Sequence, residues 1–439
     1  MTQNDYQRID ALIRREVVPA TGCTEPAAVA LCVAYAASLV EEVDELQRIE
    51  VLLSANMLKN AMGVGIPGTG MIGLPIAIAL GAVLRLPQRQ LEVLDGFGED
   101  TLNSAKSLVE RNIIDIRHVS GEGIDKLYVE VLVHTQAGHL ARAVIERTHT
   151  GLVALSCDGE DRLSALTAPI EGCSETIGQH LVAEEDIRLS FDLVYEYATT
   201  APLENLDFIY EAAQQNKRVG EHSLQHKYGH GVGRMIQSEA GKRFIGDSPM
   251  ARMLMYTSGA CDARMDGAPL TVMSNSGSGN QGITATLPVL TFAESQGASY
   301  EATARALMMS GLMVVYIKQL LGRLSCLCGM VVSGIGSSAA LVYLLGGTRE
   351  QSGYAIKNMV GNVTGMICDG AKPSCSLKAS TGISSAMISA LLALEHESCT
   401  ELEGIVAGDV DSCIVNLALI GTEGMAETDL KILRVMTDK

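Results

Sequence analysis

Two cysteines, an aspartate and two lysines fall within "MICDGAKPSCSLK", residues 366 to 378: Cys368, Asp369, Lys372, Cys375 and Lys378. Thiols in this setting can be small core residues, redox partners or soft ligands, and the amines and carboxylate beside them can move protons. The chain has eleven cysteines. In a reducing compartment they are expected as thiols or metal ligands rather than disulfides, and the odd count agrees.

Two Gly-rich loops could hold a small anion. "KNAMGVGIPGTG" places Gly63, Gly65 and Gly68 at the spacing of a dinucleotide fingerprint, but no acidic residue follows until Glu92. A nicotinamide site wants one about 20 positions on, so that reading is set aside. What remains is a loop whose backbone N–H groups grip a carboxylate, or a tight turn between buried helices. "SNSGSGNQGITATLPV", Ser274 to Val289, puts Ser, Asn and Gln donors before an apolar helix, an anion site that needs no Lys or Arg. It also looks like the asparagine loop of pyridoxal phosphate lyases, whose Schiff-base lysine would be Lys59, Lys372 or Lys378.

Other motifs fail on detail. Gly365 and Gly370 have phosphate-loop spacing, but Ala371 precedes Lys372 and no Ser or Thr follows it. His222, His226 and His230 could share one helix face at i, i+4, i+8, yet the glutamate of a zinc hydrolase motif is absent. One of these imidazoles could still serve as an acid or base.

The elements that must carry these residues are mainly helical. The 439 residues are 47% hydrophobic, with 44 Gly, 19 Met, no Trp and 4% aromatics, the composition of helices that approach closely through small side chains. A net charge of -18 without a basic patch argues against nucleic acid or an anionic membrane. Asn60 to Leu84 and Leu324 to Thr348 each run 25 residues without a charge, which raises a membrane transporter as the non-enzyme alternative. Their Gly, Pro and Ser content favours buried elements of a soluble protein. The charged N-terminus has no secretory pattern, so a cytoplasmic location is expected.

Residues 5 to 41 read as two helices, the second with Thr24 as N-cap and Pro26 in its first turn, leaving Cys23 at a helix N-terminus, where a thiolate is favoured. From about Arg85 the texture changes to β-branched alternation around one helix near Thr101 to Arg111, and after about Glu184 helices return. The expected fold is mainly α with an inserted α+β unit: residues 1–84 and 185–439 form a helical catalytic domain and residues 85–184 the insertion. Long apolar helices poor in aromatics suggest a homodimer.

Taken together, "GCTEP", "NMLKNAMGVGIPGTG", "SGSGNQG", "CLCGMVVSGIGSSAALVYLLGGT" and "CDGAKPSC" resemble the iron–sulfur L-cysteine desulfidases, relatives of the iron–sulfur L-serine dehydratase α-chains, over nearly the whole chain. The resemblance implies a [4Fe-4S] cluster held by Cys23, Cys328 and Cys368 with one iron open. The close spacing of "CDGAKPSC" departs from the dehydratase pattern, so Cys375 is not carried over as a ligand, and Cys326 neighbours Cys328. Soft thiolates suit such a centre, and cysteines in Gly-rich turns can converge where helix-buried ones cannot. Cys32, Cys157, Cys173, Cys261, Cys399 and Cys413 read as core or incidental residues.

The implied reaction is β-elimination from L-cysteine to pyruvate, ammonia and hydrogen sulfide, with L-serine the competing substrate. Asn56 and Lys59, the Gly65, Gly68, Thr69 and Gly70 loop, and the Ser276, Ser278, Gly279, Asn280 and Gln281 loop would hold the α-carboxylate. Lys372, Lys378 and His222 are the candidate bases, with Asp369 orienting one of them.

Overall fold

The computed structural model describes residues 1–40, 45–121, 123–164 and 186–439. Helices α1 (Gln3–Glu16), α2 (Thr24–Ala37), α3 (Ala55–Ala61), α4 (Leu74–Leu84) and α5 (Glu99–Glu110) occupy the first part. Strands are β1 (Pro19–Thr21), β2 (Leu46–Leu53), β3 (Ile114–His118), β4 (Tyr128–Thr135), β5 (Leu140–Glu146), β6 (Leu152–Cys157), β7 (Glu160–Asp161) and β8 (Thr271–Met273). The later helices are α6 (Phe191–Thr200), α7 (Asp207–Gln225), α8 (Val232–Gln237), α9 (Glu239–Phe244), α10 (Pro249–Met265), α11 (Gly279–Gln296), α12 (Tyr300–Leu321), α13 (Gly329–Leu344), α14 (Arg349–Val363), α15 (Cys375–Leu394), α16 (Val410–Leu419) and α17 (Ala426–Thr437). The chain is mainly α with a small mixed sheet set into it.

That sheet runs β3-β2-β4-β5-β6-β7, with β2 and β3 parallel and the other pairs antiparallel. Register places Val51 opposite Val131, Val131 opposite Ala143 and Ala143 opposite Leu155, so one apolar row crosses four strands. Helix α2, buried along its whole length, covers this row, as expected of a helix apolar on every side. Helix α4 packs behind it so closely that a Cβ on Gly81 would stand 2.4 Å from the Ala30 carbonyl oxygen. The sheet takes a central strand, β2, from ahead of residue 85, where the alternation was expected to begin. In β2 the buried Leu46, Ile49, Val51 and Leu53 alternate with Gln47, Arg48 and Glu50, and the charged outer row hides a strand when only apolar runs are sought. Cys173 and residues 165–184 of the expected insertion lie outside the described residues.

The second core is a bundle in which α11, α12, α13, α14 and α15 pack through small residues. A Cβ on Gly336 in α13 would lie 2.6 Å from the Ser310 carbonyl oxygen in α12. Neither uncharged 25-residue stretch is one continuous helix: a loop precedes α4 in the first, and α13 fills only part of the second. Two described helices, α12 and α15, are long and apolar enough to cross a membrane, and α12 is mostly inside the fold.

Candidate functional site

The two cores meet where the Gly-rich loops gather. Strand β1 pairs antiparallel with β8, Ala20 opposite Val272, which lays the "GCTEP" turn along the Ser274–Gln281 loop. The Ser274 hydroxyl donates to the Val18 carbonyl at 2.7 Å, the Ser276 N–H to that of Glu16 at 2.9 Å, and the Thr24 hydroxyl to that of Gly277 at 2.8 Å. Because the Thr24 hydroxyl is spent on Gly277 and Glu25, Thr24 is not the cap; Cys23 holds the N-cap position of α2.

On the other side of "GCTEP" lies the Gly63–Gly70 loop. Gly22, at φ +73°, is held there because a Cβ would come within 2.5 Å of Pro67. The loop's own donors are used by the protein: Gly65 N–H to the Met265 carbonyl at 3.0 Å, Gly68 N–H to Gly267 at 3.2 Å, and the Thr69 hydroxyl to Ile66 at 2.8 Å. Gly70, at φ +64°, makes the turn. The loop therefore acts as a tight turn bound to the end of α10.

The cysteine loops pair with each other. Cys328 N–H donates to the Met366 carbonyl at 2.9 Å and Cys368 N–H to that of Cys326 at 2.6 Å, around a bridge between Leu327 and Ile367. Burial pushes the Cys328 thiol up to about 12, helped by the neighbouring Cys368 and Cys375, and burial with Cys368 also raises Cys375. Cys23 joins this group through polar side chains: its Sγ donates to Glu25 Oε2 at 2.9 Å, Asn60 Nδ2 donates to Glu25 Oε1 at 3.0 Å, and Asn60 Oδ1 accepts from Cys368 Sγ at 3.9 Å. The helix N-terminus does not make Cys23 a thiolate as expected, because burial and the Glu25 carboxylate raise its pKa well above the ordinary thiol value.

Among the described residues, no three His, Cys, Asp or Glu side chains converge on a point fit for a single metal ion. A four-iron cluster takes each thiolate on a different iron, so its donors surround a larger volume than one ion's ligands do. The donor set, the buried Cys23 and Cys328 thiols with the half-buried Cys368, suits such a group, whose binding would reverse the raised pKa values of Cys23 and Cys328 by deprotonating them.

Asn56 and Lys59 do not face an open loop. Asn56 Nδ2 donates to Asp429 Oδ2 at 3.0 Å, and the fully buried Lys59 Nζ reaches Asp429 Oδ1 at 2.5 Å and the Cys368 carbonyl at 3.0 Å. Burial works against the Lys59 charge, but Cys368 and Asp429 outweigh it and raise its pKa. Asp369 holds both nearby lysines: Lys372 Nζ at 2.6 Å, and Lys378, which also donates to the Ile367 carbonyl at 2.8 Å. Burial opposes ionisation of Asp369, yet the two lysines bring its pKa down to about 2.

The three histidines do not share a helix face, since α7 ends at Gln225. His222 stacks on His226 with centroids 4.0 Å apart and meets the Tyr228 hydroxyl at 3.1 Å, while His230 lies in the following loop with its N–H on Asp262 Oδ1.

Residues that sequence reasoning missed complete the site. His149, from the turn between β5 and β6, lies so close to the Ser274–Gln281 loop that a Cβ on Gly277 would stand 2.9 Å from its Nδ1 and Cε1. Both its ring nitrogens are buried without a hydrogen-bond partner, and burial lowers its pKa to about 4, leaving the ring neutral. Arg264, at the end of α10, lies against Gly279, and its Nε and Nη2 are likewise buried without partners. Asn280 Oδ1 and Gln281 Oε1 share that state. Burial opposes the Glu25 charge, but its pKa is still lowered, by His149 when that ring is charged, by the Cys23 hydrogen bond and by Arg264. Lys318, which donates to the Gly322 and Arg323 carbonyls, is lowered to about 8 by burial.

Comparison with known proteins gives the family of the chain. Residues 88–434 match the serine dehydratase alpha chain family. Full-length relatives include proteins named UPF0597 from Porphyromonas gingivalis, 56% identical over all of both chains, and Parabacteroides distasonis, 51% identical over 98% of this chain and 97% of that one. Another, from Oleidesulfovibrio alaskensis, is 43% identical over both full lengths. The matched span includes Cys328, Cys368, His149 and Arg264 but begins after Cys23. The chain belongs to the serine dehydratase alpha chain family.

Proposed function

We propose that this lyase eliminates the β-substituent of L-cysteine, releasing hydrogen sulfide and aminoacrylate, which takes up water to give pyruvate and ammonia. The observation that carries the reading is the hydrogen-bonded pairing of the Cys328 and Cys368 loops, with Cys23 linked to them through Glu25 and Asn60, near buried, unpartnered polar side chains. A [4Fe-4S] cluster held by these three cysteines would supply an open Lewis-acidic iron for the leaving group. The polar residues divide the remaining work. His149, neutral and with both ring nitrogens free, takes the α-proton. Lys372 and Lys378, both paired with Asp369, deliver a proton on the Cys368 side as the substituent leaves. The Ser276–Gln281 loop binds the amino acid, with Ser278 capping α11 by accepting from the Gln281 N–H.

L-Serine is the second reading, favoured by the dehydratase alpha chain match, since hydroxide can leave from the same position. A reducing cytoplasm suits such a centre, and a homodimer is the proposed assembly. The test is anaerobic purification with cluster reconstitution, then assay of sulfide and pyruvate from L-cysteine and of pyruvate from L-serine. A brown protein that turns over cysteine faster supports the reading, preference for serine moves it to the second, and a reconstituted protein inert toward both overturns it.

A further inference from the structure

Arg264, Asn280 and Gln281 present an unusual combination in a protein interior. Arg264 is 3% exposed, Asn280 5% and Gln281 1%, yet two guanidinium nitrogens and two amide oxygens have no hydrogen-bond partner. Burying a cation and polar acceptors without partners is costly, so a fold that keeps them points to a partner from outside. Glu25 lies within electrostatic reach of Arg264, but its two oxygens already accept from Cys23, Thr24 and Asn60.

The Gln281 orientation is fixed by its surroundings. Gln281 Nε2 donates to the Asn275 carbonyl at 3.1 Å, which turns Oε1 away from that bond and toward Gly329, the residue after Cys328. Glycine is required at two points. A Cβ on Gly279 would strike Arg264 Nε at 2.3 Å, and a Cβ on Gly329 would meet Gln281 Cγ at 2.9 Å. At both points the side chain that bears an unpartnered group packs directly on the glycine backbone. A cation fork and two neutral acceptors across the first turn of one helix match a molecule carrying a carboxylate and an ammonium a short distance apart.

We infer that Arg264 anchors the α-carboxylate of the amino-acid substrate, and that Asn280 Oδ1 and Gln281 Oε1 receive its α-ammonium. The inference rests on the amino-acid lyase reading above and assigns the binding end of its site. It moves the carboxylate anchor from the Asn56, Lys59 and Gly65–Gly70 region, whose donors are held within the protein, to the end of α10.

The test uses the reconstituted holoenzyme and L-alanine, which has both charged groups and no β-substituent to lose, measured by titration calorimetry. Propionate and ethylamine, each with one of the two groups, are the controls. Wild type is expected to bind L-alanine more tightly than either control. Arg264→Gln should weaken L-alanine and propionate about tenfold to hundredfold and leave ethylamine unchanged, with Arg264→Lys intermediate. Gln281→Met should weaken L-alanine and ethylamine but not propionate. Iron and acid-labile sulfide should match wild type in all three variants. Unchanged L-alanine affinity in Arg264→Gln overturns the inference. So does loss of iron in that variant, which would make Arg264 a counter-charge to the cluster. A wild type that binds L-alanine but turns over neither cysteine nor serine overturns the lyase reading alone.

Discussion

Lys59 and Asp429, 370 positions apart in sequence, form a buried ion pair that ties the C-terminal helix α17 to the cysteine loop, for Lys59 also donates to the Cys368 carbonyl. With Lys59 wholly enclosed, removal of the carboxylate leaves an uncompensated charge. Asp429→Ala should therefore destabilise the protein by about 3 to 5 kcal/mol, whereas the double variant Lys59→Met, Asp429→Leu should recover most of the loss. Chemical denaturation followed by circular dichroism measures both, and equal losses in the two would mean that packing, not charge, dominates at this contact.

The ligand assignment makes a sharper demand on the cysteines. Cys328, Cys368 and Cys375 influence one another electrostatically, while Cys23 connects to Cys368 through Glu25 and Asn60. With Cys23, Cys328 and Cys368 as ligands, changing any of them to Ala should lower the iron bound after reconstitution well below wild type and abolish lyase activity. Cys375→Ala should keep both within about twofold, because its thiol would be core filling. Iron retained in Cys23→Ala and lost in Cys375→Ala would shift the third ligand to Cys375.

Much of this site was legible in the sequence because its loops announce themselves: Gly-rich turns that interrupt apolar runs carry Cys23, Cys328, Cys368 and the Ser276–Gln281 segment, and the fold brings these loops together. What could not be read is pairing across the fold. Asn56 and Lys59 looked free until Asp429 was seen to occupy them. Arg264 sits near the end of an ordinary helix, and its significance lies in the absence of partners, which no spacing encodes. His149 follows a strand in the inserted unit, so it reads as a turn residue until the hairpin is seen to deliver it to Gly277. Strand β2 was hidden by the charges on its outer face.

His149 also predicts a pH dependence of stability. Its pKa falls from an ordinary 6.5 to about 4 in the fold, chiefly by burial, with Arg323, Arg264 and Lys318 adding to the fall and Glu25 opposing it. Between those values the unfolded chain binds a proton that the folded chain refuses, so stability is lost as pH falls from about 6.5 to about 4. At about 1.4 kcal/mol per pKa unit the loss is on the order of 3 kcal/mol. His149→Gln should remove that slope, which thermal melts across this range will show; an unchanged slope would assign it to other groups. The same variant should lose most lyase activity while keeping its iron, as removal of a base requires.

Gly279 offers the most economical test of how Arg264 is held in place. Added atoms at this position would contact Arg264 Nε at 2.3 Å, its Cζ at 2.7 Å and Val272 Cγ2 at 2.8 Å. Arg264 must therefore move if the backbone does not. Gly279 is the first residue of α11, where the helix itself accepts alanine, so the cost of the added methyl comes from displacing Arg264 and pressing on the buried Val272. Gly279→Ala should lower L-alanine affinity about tenfold or more, as Arg264→Gln does, with iron content unchanged. The double variant should be little worse than either single one, since both act on the same guanidinium. Additive losses in that double variant would mean that Gly279 serves the site independently of Arg264, through the approach of its own backbone to the substrate.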